Sequence, residues 1–175
     1  LEDYEDVEIP TPADIYPPRA GKPEYSGQYG VWKADADGRA VADDEGRFEG
    51  PLYDATRQYH QAARSLDEGV GRLMEALKAS KQLENTLVVF TSDQGFAWGQ
   101  HGFRHKLAPY ASNIKVPFIV SMPGTIPGNK VCESPVGGID LVPTFFKFAN
   151  MDLPWEMDGR DLSPLLKNPA RFWDR

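Results

Sequence analysis

One stretch constrains this chain more than any other: Thr91-Ser-Asp-Gln-Gly-Phe-Ala-Trp-Gly-Gln-His-Gly-Phe-Arg-His-Lys106. The apolar run Leu87-Val88-Val89-Phe90 leads into it and reads as a buried strand. Such a run has no polar side to offer water, so it belongs inside a sheet covered on both faces. Asp93 and Gln94, a carboxylate and a carboxamide, stand where that strand ends. Gly95, Gly99 and Gly102, then His101, His105 and Lys106, follow closely. In open α/β sheets, ligands sit in the crevice beyond the carboxyl ends of the strands. A strand that ends in hard oxygen donors and runs into a flexible loop carrying a cation suits a metal-plus-anion site.

The flanking pattern supports an α/β class. Upstream, Tyr59, Ala62, Ala63, Leu66, Val70, Leu73, Met74 and Leu77 recur at three- and four-residue steps behind Pro51. That spacing predicts a long helix beginning at Pro51, with an apolar stripe that packs on a sheet. Ser80 to Asn85 end the helix, and Thr86 opens the strand. Helix, short turn and apolar strand make half of a crossover unit, so a parallel sheet is expected. A short helical turn at Tyr110–Pro117 precedes a second apolar strand, Phe118–Met122, also expected to be parallel. A brief extended piece follows at Val131–Cys132, and Asp140 is expected to cap a helix containing Leu141, Val142, Phe145, Phe146 and Phe148. Two strands cannot cover both of their own faces, so the rest of the sheet is expected upstream.

Residues 1 to about 50 carry prolines at 10, 12, 17, 18 and 23 and an acidic opening, and read as irregular chain wrapped over something else. Within them, Asp35-Ala-Asp-Gly38 hints at a calcium loop but lacks the further ligands of an EF-hand, so it reads as a polar turn. His60 reads as a surface histidine.

Composition removes several classes. Forty-one per cent hydrophobic residues (41%) suit a globular chain rather than a disordered one. No apolar run reaches the roughly 18 to 20 residues of a membrane span. A net charge of −7 disfavours nucleic acid and anionic membranes as partners. An acidic protein that binds an anion needs local positive charge, which a metal ion supplies simply. The single cysteine, Cys132, excludes an internal disulfide and a cysteine-based zinc cluster, and reads as a partly buried small hydrophobe.

At the stretch itself, two readings of each residue stand side by side. Asp93 and Gln94 suit calcium, which takes six to eight oxygens, ahead of magnesium with its stricter geometry; Asp93 also suits a turn before glycine. Lys106 is either a solvated surface charge or a point-charge clamp for a tetrahedral oxyanion. His101 and His105 serve an acid, a base, a substrate donor or a polar loop surface equally well.

The ordered set of motifs resembles the type I, formylglycine-dependent sulfatases of the alkaline phosphatase-like superfamily. Ser92-Asp-Gln-Gly-Phe96, Gly99-Gln-His-Gly102 and Lys106 resemble that family's second signature region. Ser65-Leu-Asp-Glu-Gly-Val-Gly71, Val116-Pro117, Pro123-Gly124, Asp140-Leu-Val-Pro-Thr144 and Asp158-Gly-Arg-Asp-Leu162 match in order and spacing. The resemblance implies a three-layer α/β/α domain with a mostly parallel central sheet, of which this chain is the C-terminal half. It implies a wrapping segment over 1–52, catalytic domain over 53–168 and a tail over 169–175.

The resemblance also implies Asp93 and Gln94 as calcium ligands, with Lys106 and His101 as the catalytic candidates, Lys106 on a sulfate oxygen. The substrate implied is a sulfate ester, carbohydrate esters included, and Trp98, Arg104, His105 and Tyr110 become candidate neighbours of its organic part. The family's nucleophile is a formylglycine made from Cys or Ser in a C/S-x-P-x-R motif. Cys132 is followed by Glu-Ser-Pro, so that motif is absent, and the formylglycine is expected in the missing N-terminal half. This chain without that half is expected to be inactive. Family habit implies a secreted, periplasmic or lysosomal setting, and no targeting segment is visible. Two alternatives share the site logic: a phosphodiesterase or phosphonate monoester hydrolase of the same superfamily, and a non-catalytic, degenerate metal-binding domain.

Overall fold

The computed structural model describes residues 4, 7–17, 19–24, 32–42, 50–106 and 108–174. In chain order the elements are β1 (Trp32–Ala34), β2 (Ala40–Ala42), β3 (Gly50–Pro51), α1 (Leu52–Ala79), β4 (Val88–Thr91), β5 (Ala97–Trp98), β6 (Arg104–His105), α2 (Ala111–Ile114), β7 (Phe118–Ser121), α3 (Leu141–Phe148) and α4 (Ser163–Lys167). They divide between two compact units, Leu1–Arg72 with Gln94–Val116, and Leu73–Asp93 with Pro117–Arg175.

The first unit contains a small antiparallel sheet, β1-β2-β3, where irregular chain was expected. Strands of two or three residues are too short to show alternation in sequence, and their alanines and glycine carry little β preference. The turn pins the pairing instead. Asp35 Oδ1 accepts the backbone N–H groups of Asp37 (2.9 Å) and Arg39 (2.8 Å), and Gly38 takes a φ of 78°. The Asp-x-Asp-Gly quartet is therefore the polar turn the sequence suggested, and it sets Trp32 opposite Ala42. Ile15, Trp32, Ala40, Ala42 and Leu52 form the buried core of this unit, with Tyr16 and Trp98 packed against it.

Helix α1 runs for 28 residues from Leu52. Pro51 is not its first residue; it pairs with Val41 in β3. Asp54 in the first turn and Lys78 in the last complement the helix dipole. The expected burial of the stripe is not found among the described residues. Tyr59, Leu66 and Leu73 are 52%, 54% and 67% exposed. Periodicity states which face wants cover; it does not supply the cover. His60 is exposed, as expected, with its ring against Tyr4 and Tyr59.

In the second unit β4 and β7 pair antiparallel, with Val88 opposite Ser121 and Thr91 opposite Phe118. This corrects the parallel pairing expected of the two apolar runs. The end of β4 lies beside the start of β7, so the chain returns between adjacent strand ends and needs no helical crossover. Both strands are at most half-buried rather than buried among the described residues, and Ile119 is exposed. Val131 and Cys132 lie outside any strand, and Cys132 is exposed rather than partly buried. Asp140 precedes α3 but does not cap it with its side chain. Its carboxylate instead accepts the backbone N–H groups of Gly137 and Arg160, which ties two loops together.

Candidate active site

Strands β5 and β6 make the glycine-rich stretch a hairpin, with Ala97 opposite His105 and Trp98 opposite Arg104. The reversal is closed by Gly99 N–H on Phe103 O (3.0 Å) and Gly102 N–H on Gly99 O (2.9 Å). Glycine is required at both positions by conformation and by space. Gly99 and Gly102 have φ of 90° and 73°. A Cβ at Gly102 would fall on the guanidinium of buried Arg19, and one at Gly99 on the Ile15 side chain. His101, between them, also takes a left-handed φ of 55°, which costs an L-residue about 1 kcal/mol.

One carboxylate from the proline-rich segment holds His101 in place. Asp14 Oδ1 accepts the His101 backbone N–H (3.0 Å), and Asp14 Oδ2 accepts from His101 Nδ1 (2.5 Å). Partial burial pushes the Asp14 carboxyl up, but the hydrogen bonds from the His101 backbone and ring outweigh this and hold it below the usual carboxylate range. Arg19 in turn fixes the segment, donating Nε to Asp14 O (3.0 Å) and Nη2 to Ile15 O (2.6 Å). The Tyr110 ring lies 4.1 Å from the His101 ring, and Lys22 Nζ lies 4.5 Å from the Tyr110 centroid.

The segment after the hairpin sets the start of the loop. Gly95 N–H donates to Asn113 O (2.8 Å), and buried Asn113 donates Nδ2 to His105 O (2.7 Å). A Cβ on Gly95 would sit 2.1 Å from Ser112 O, a backbone atom that cannot swing away. Gly95→Ala is therefore expected to destabilise the intact protein by about 1–3 kcal/mol, as overpacking does. Urea denaturation would measure it, and an unchanged midpoint would show that the loop does not rest on α2.

The sulfatase family's profile matches residues 16–151, a span that takes in the whole hairpin and both strands of the β4–β7 pair. The chain belongs to the sulfatase family. Among curated relatives, an N-acetylglucosamine-6-O-sulfatase of Bacteroides thetaiotaomicron is 34% identical over 115 residues, covering 66% of this chain and 21% of that protein. An extracellular sulfatase homolog of Drosophila melanogaster is 39% identical over 112 residues, covering 63% of this chain and 10% of that protein. A solved structure in complex with its substrate D-glucosamine-2-N,6-O-disulfate aligns with a TM-score of 0.64 at 31% identity, covering 71% of this chain and 26% of that one. The fold is accordingly α/β of the alkaline phosphatase-like kind. The chain thus spans at most about a fifth of these curated relatives' lengths.

Within this chain the candidate residues fall as follows. Asp93 is exposed and its Oδ1 accepts from Ser92 Oγ (3.3 Å). Gln94 is half-buried, and Lys106 is exposed immediately after β6. Gln94, His101 and Lys106 belong to the first unit, Asp93 to the second. Among the described residues no three His, Cys, Asp or Glu side chains gather. The donor set at Asp93 and Gln94, one carboxylate and one carboxamide, is hard oxygen and fits calcium in kind. It is smaller than the six to eight oxygens calcium takes.

The four residues suggested as substrate neighbours pack within the unit. Trp98 lies against Tyr59 and Phe96, His105 edge-on to Phe96, and Arg104 over Trp32. Tyr110 lies against His101 and Phe103. Sequence reading missed Asp14, Arg19 and Asn113. Asp14 and His101 are 87 residues apart, so no local pattern joins them.

Proposed function

We propose that the intact protein carrying this chain hydrolyses sulfate esters, with sulfated carbohydrates as the substrate class. The observation that carries this is the family match across residues 16–151, which includes the Asp93–Lys106 stretch. The two amino-sugar sulfate names among its relatives point to the substrate class. Asp93 and Gln94 would hold calcium through their side-chain oxygens, within a set completed by groups outside this pair. Calcium and a formylglycine from outside this chain would supply, respectively, positive charge at the sulfate and the nucleophilic oxygen.

The chain's own residues bind and orient. Lys106 lies on a hairpin whose turn is fixed by Gly99 and Gly102, so its ammonium starts from a set backbone position and can turn to the sulfate oxygen that needs it. There it offsets negative charge that grows on the bridging and terminal oxygens as the S–O bond breaks. His101 is the second group assigned to the reaction. The setting proposed is secreted, periplasmic or lysosomal, in keeping with the extracellular fly relative. No helix among the described residues is long and apolar enough to cross a membrane.

The test is release of inorganic sulfate from a sulfated amino sugar by the intact protein. Chelation of calcium is expected to lower turnover about a hundredfold or more, and calcium is expected to restore it better than magnesium. Hydrolysis of a phosphonate monoester with no turnover of sulfate esters would move the protein to the phosphoryl-transfer relatives. Calcium binding with neither activity would make it a non-catalytic member.

A further inference from the structure

We propose that Asp14 is a positioning residue: it fixes the His101 ring as the Nδ1–H tautomer and leaves Nε2 as the atom that accepts a hydrogen bond from the substrate. The inference rests on the reading of His101 as a group facing a sulfate ester. It goes beyond that reading by naming which ring nitrogen acts and what selects it.

Three observations carry the assignment. The first is the division of labour within one carboxylate. Asp14 Oδ1 takes the His101 backbone N–H, while Oδ2 takes Nδ1 at 2.5 Å. A carboxylate offers only acceptors, so Nδ1 must carry the proton in the neutral ring, and Nε2 keeps its lone pair. A device that only locked the loop would need the backbone bond alone; the second bond acts on the ring's proton.

The second observation is strain. His101 sits at φ 55° and ψ 22°, in a turn that also holds Gly99 and Gly102, and yet is not glycine. A side chain stands where the backbone disfavours one, and the hydrogen bond that the His101 backbone N–H donates to Asp14 supports that conformation.

The third is what surrounds the pair. Asp14 is itself anchored through its carbonyl by buried Arg19, and the His101 ring lies against Tyr110. Nδ1 is engaged, while Nε2 has no hydrogen-bond partner among the described residues and the side chain remains 31% exposed. The ring is held from one nitrogen and open at the other. Lys106 follows five residues later, directly after β6 of the same hairpin. A neutral Nε2 suits a hydroxyl of the substrate's organic part, whose hydrogen it would receive without any covalent change.

The experiment uses the intact protein with its histidine nitrogens isotopically labelled. Nitrogen chemical shifts and their couplings to the ring hydrogens report which nitrogen carries the proton. In the wild type the proton is expected on Nδ1. In Asp14→Asn the carboxamide oxygen can still accept the backbone N–H, while its NH₂ faces Nδ1 and drives the proton to Nε2. That variant is expected to lose about ten- to hundredfold in kcat with the fold intact. Asp14→Glu keeps an acceptor for Nδ1 and is expected to recover the tautomer and most of the rate.

A wild-type ring protonated on Nε2 would overturn the proposal. So would an Asn variant that keeps Nδ1–H, or one whose tautomer changes with no change in kcat. The last outcome would leave Asp14 setting a tautomer on which the reaction does not depend. A wild-type protein that shows Nδ1–H but no sulfate release points instead to failure of the sulfatase reading. A wrong tautomer in an active enzyme sinks the Asp14 assignment alone.

Discussion

Lys106→Ala is expected to lower kcat/KM for sulfate-ester hydrolysis by the intact protein about a hundred- to a thousandfold, the loss seen when one preorganised transition-state donor is removed. The side chain is exposed, so unfolding free energy should move by no more than about 0.5 kcal/mol. The separation matters because Lys106 directly follows β6, and a change that disturbed the hairpin would also lower activity. Lys106→Arg keeps the charge but spreads it over a planar fork that cannot rotate onto a single oxygen as an ammonium does. It should recover only part of the rate. Steady-state sulfate release, measured beside urea denaturation, checks both statements. Full activity in the alanine variant would return Lys106 to the solvated surface charge that a loop lysine usually is.

How much of this was legible in the sequence depends on where each interaction lies along the chain. The stretch from Ser92 to Lys106 was visible because its glycines, histidines and lysine are contiguous and follow an apolar run. The long helix and the two apolar strands were visible because three- to four-residue periodicity and continuous apolarity are local signals. Strand direction was not. Val88–Thr91 and Phe118–Ser121 read the same whether paired parallel or antiparallel, and only the register shows Thr91 opposite Phe118. The cover for Leu66 and Leu73 was expected and is not found among the described residues, because a stripe states a demand and not its supply. Asp14 was invisible for a different reason. In sequence it is one acidic residue among prolines, and its meaning comes entirely from a ring 87 positions away. Gly95 lies between these cases: its place in the motif was plain, but the Ser112 carbonyl that forbids a Cβ was not.

The second unit offers the largest expected effect on stability, at Asp140. Its side chain is completely buried (0% exposed), and its two oxygens accept from Gly137 N–H (2.8 Å) and Arg160 N–H (2.9 Å). Its carbonyl accepts from Thr144 Oγ1 (2.6 Å), which itself accepts from Leu162 N–H (2.9 Å). Residues 137–144 are thereby clipped twice to residues 160–162. The approach is close enough that a Cβ on Gly159 would lie 1.9 Å from Ile139 O. Asp140→Ala removes the acceptor of two backbone donors, each costing about 1–3 kcal/mol when left unmet in a buried place. The sum, about 2–6 kcal/mol, is a large part of the roughly 5–15 kcal/mol that separates folded from unfolded domains. Asp140→Asn should fare little better, because its NH₂ would face one of the two N–H groups as a second donor. Denaturant unfolding of the intact protein reads the loss directly. A midpoint that does not move in either variant would mean that water or a neighbouring group serves those N–H groups, and that the two loops are held by packing alone.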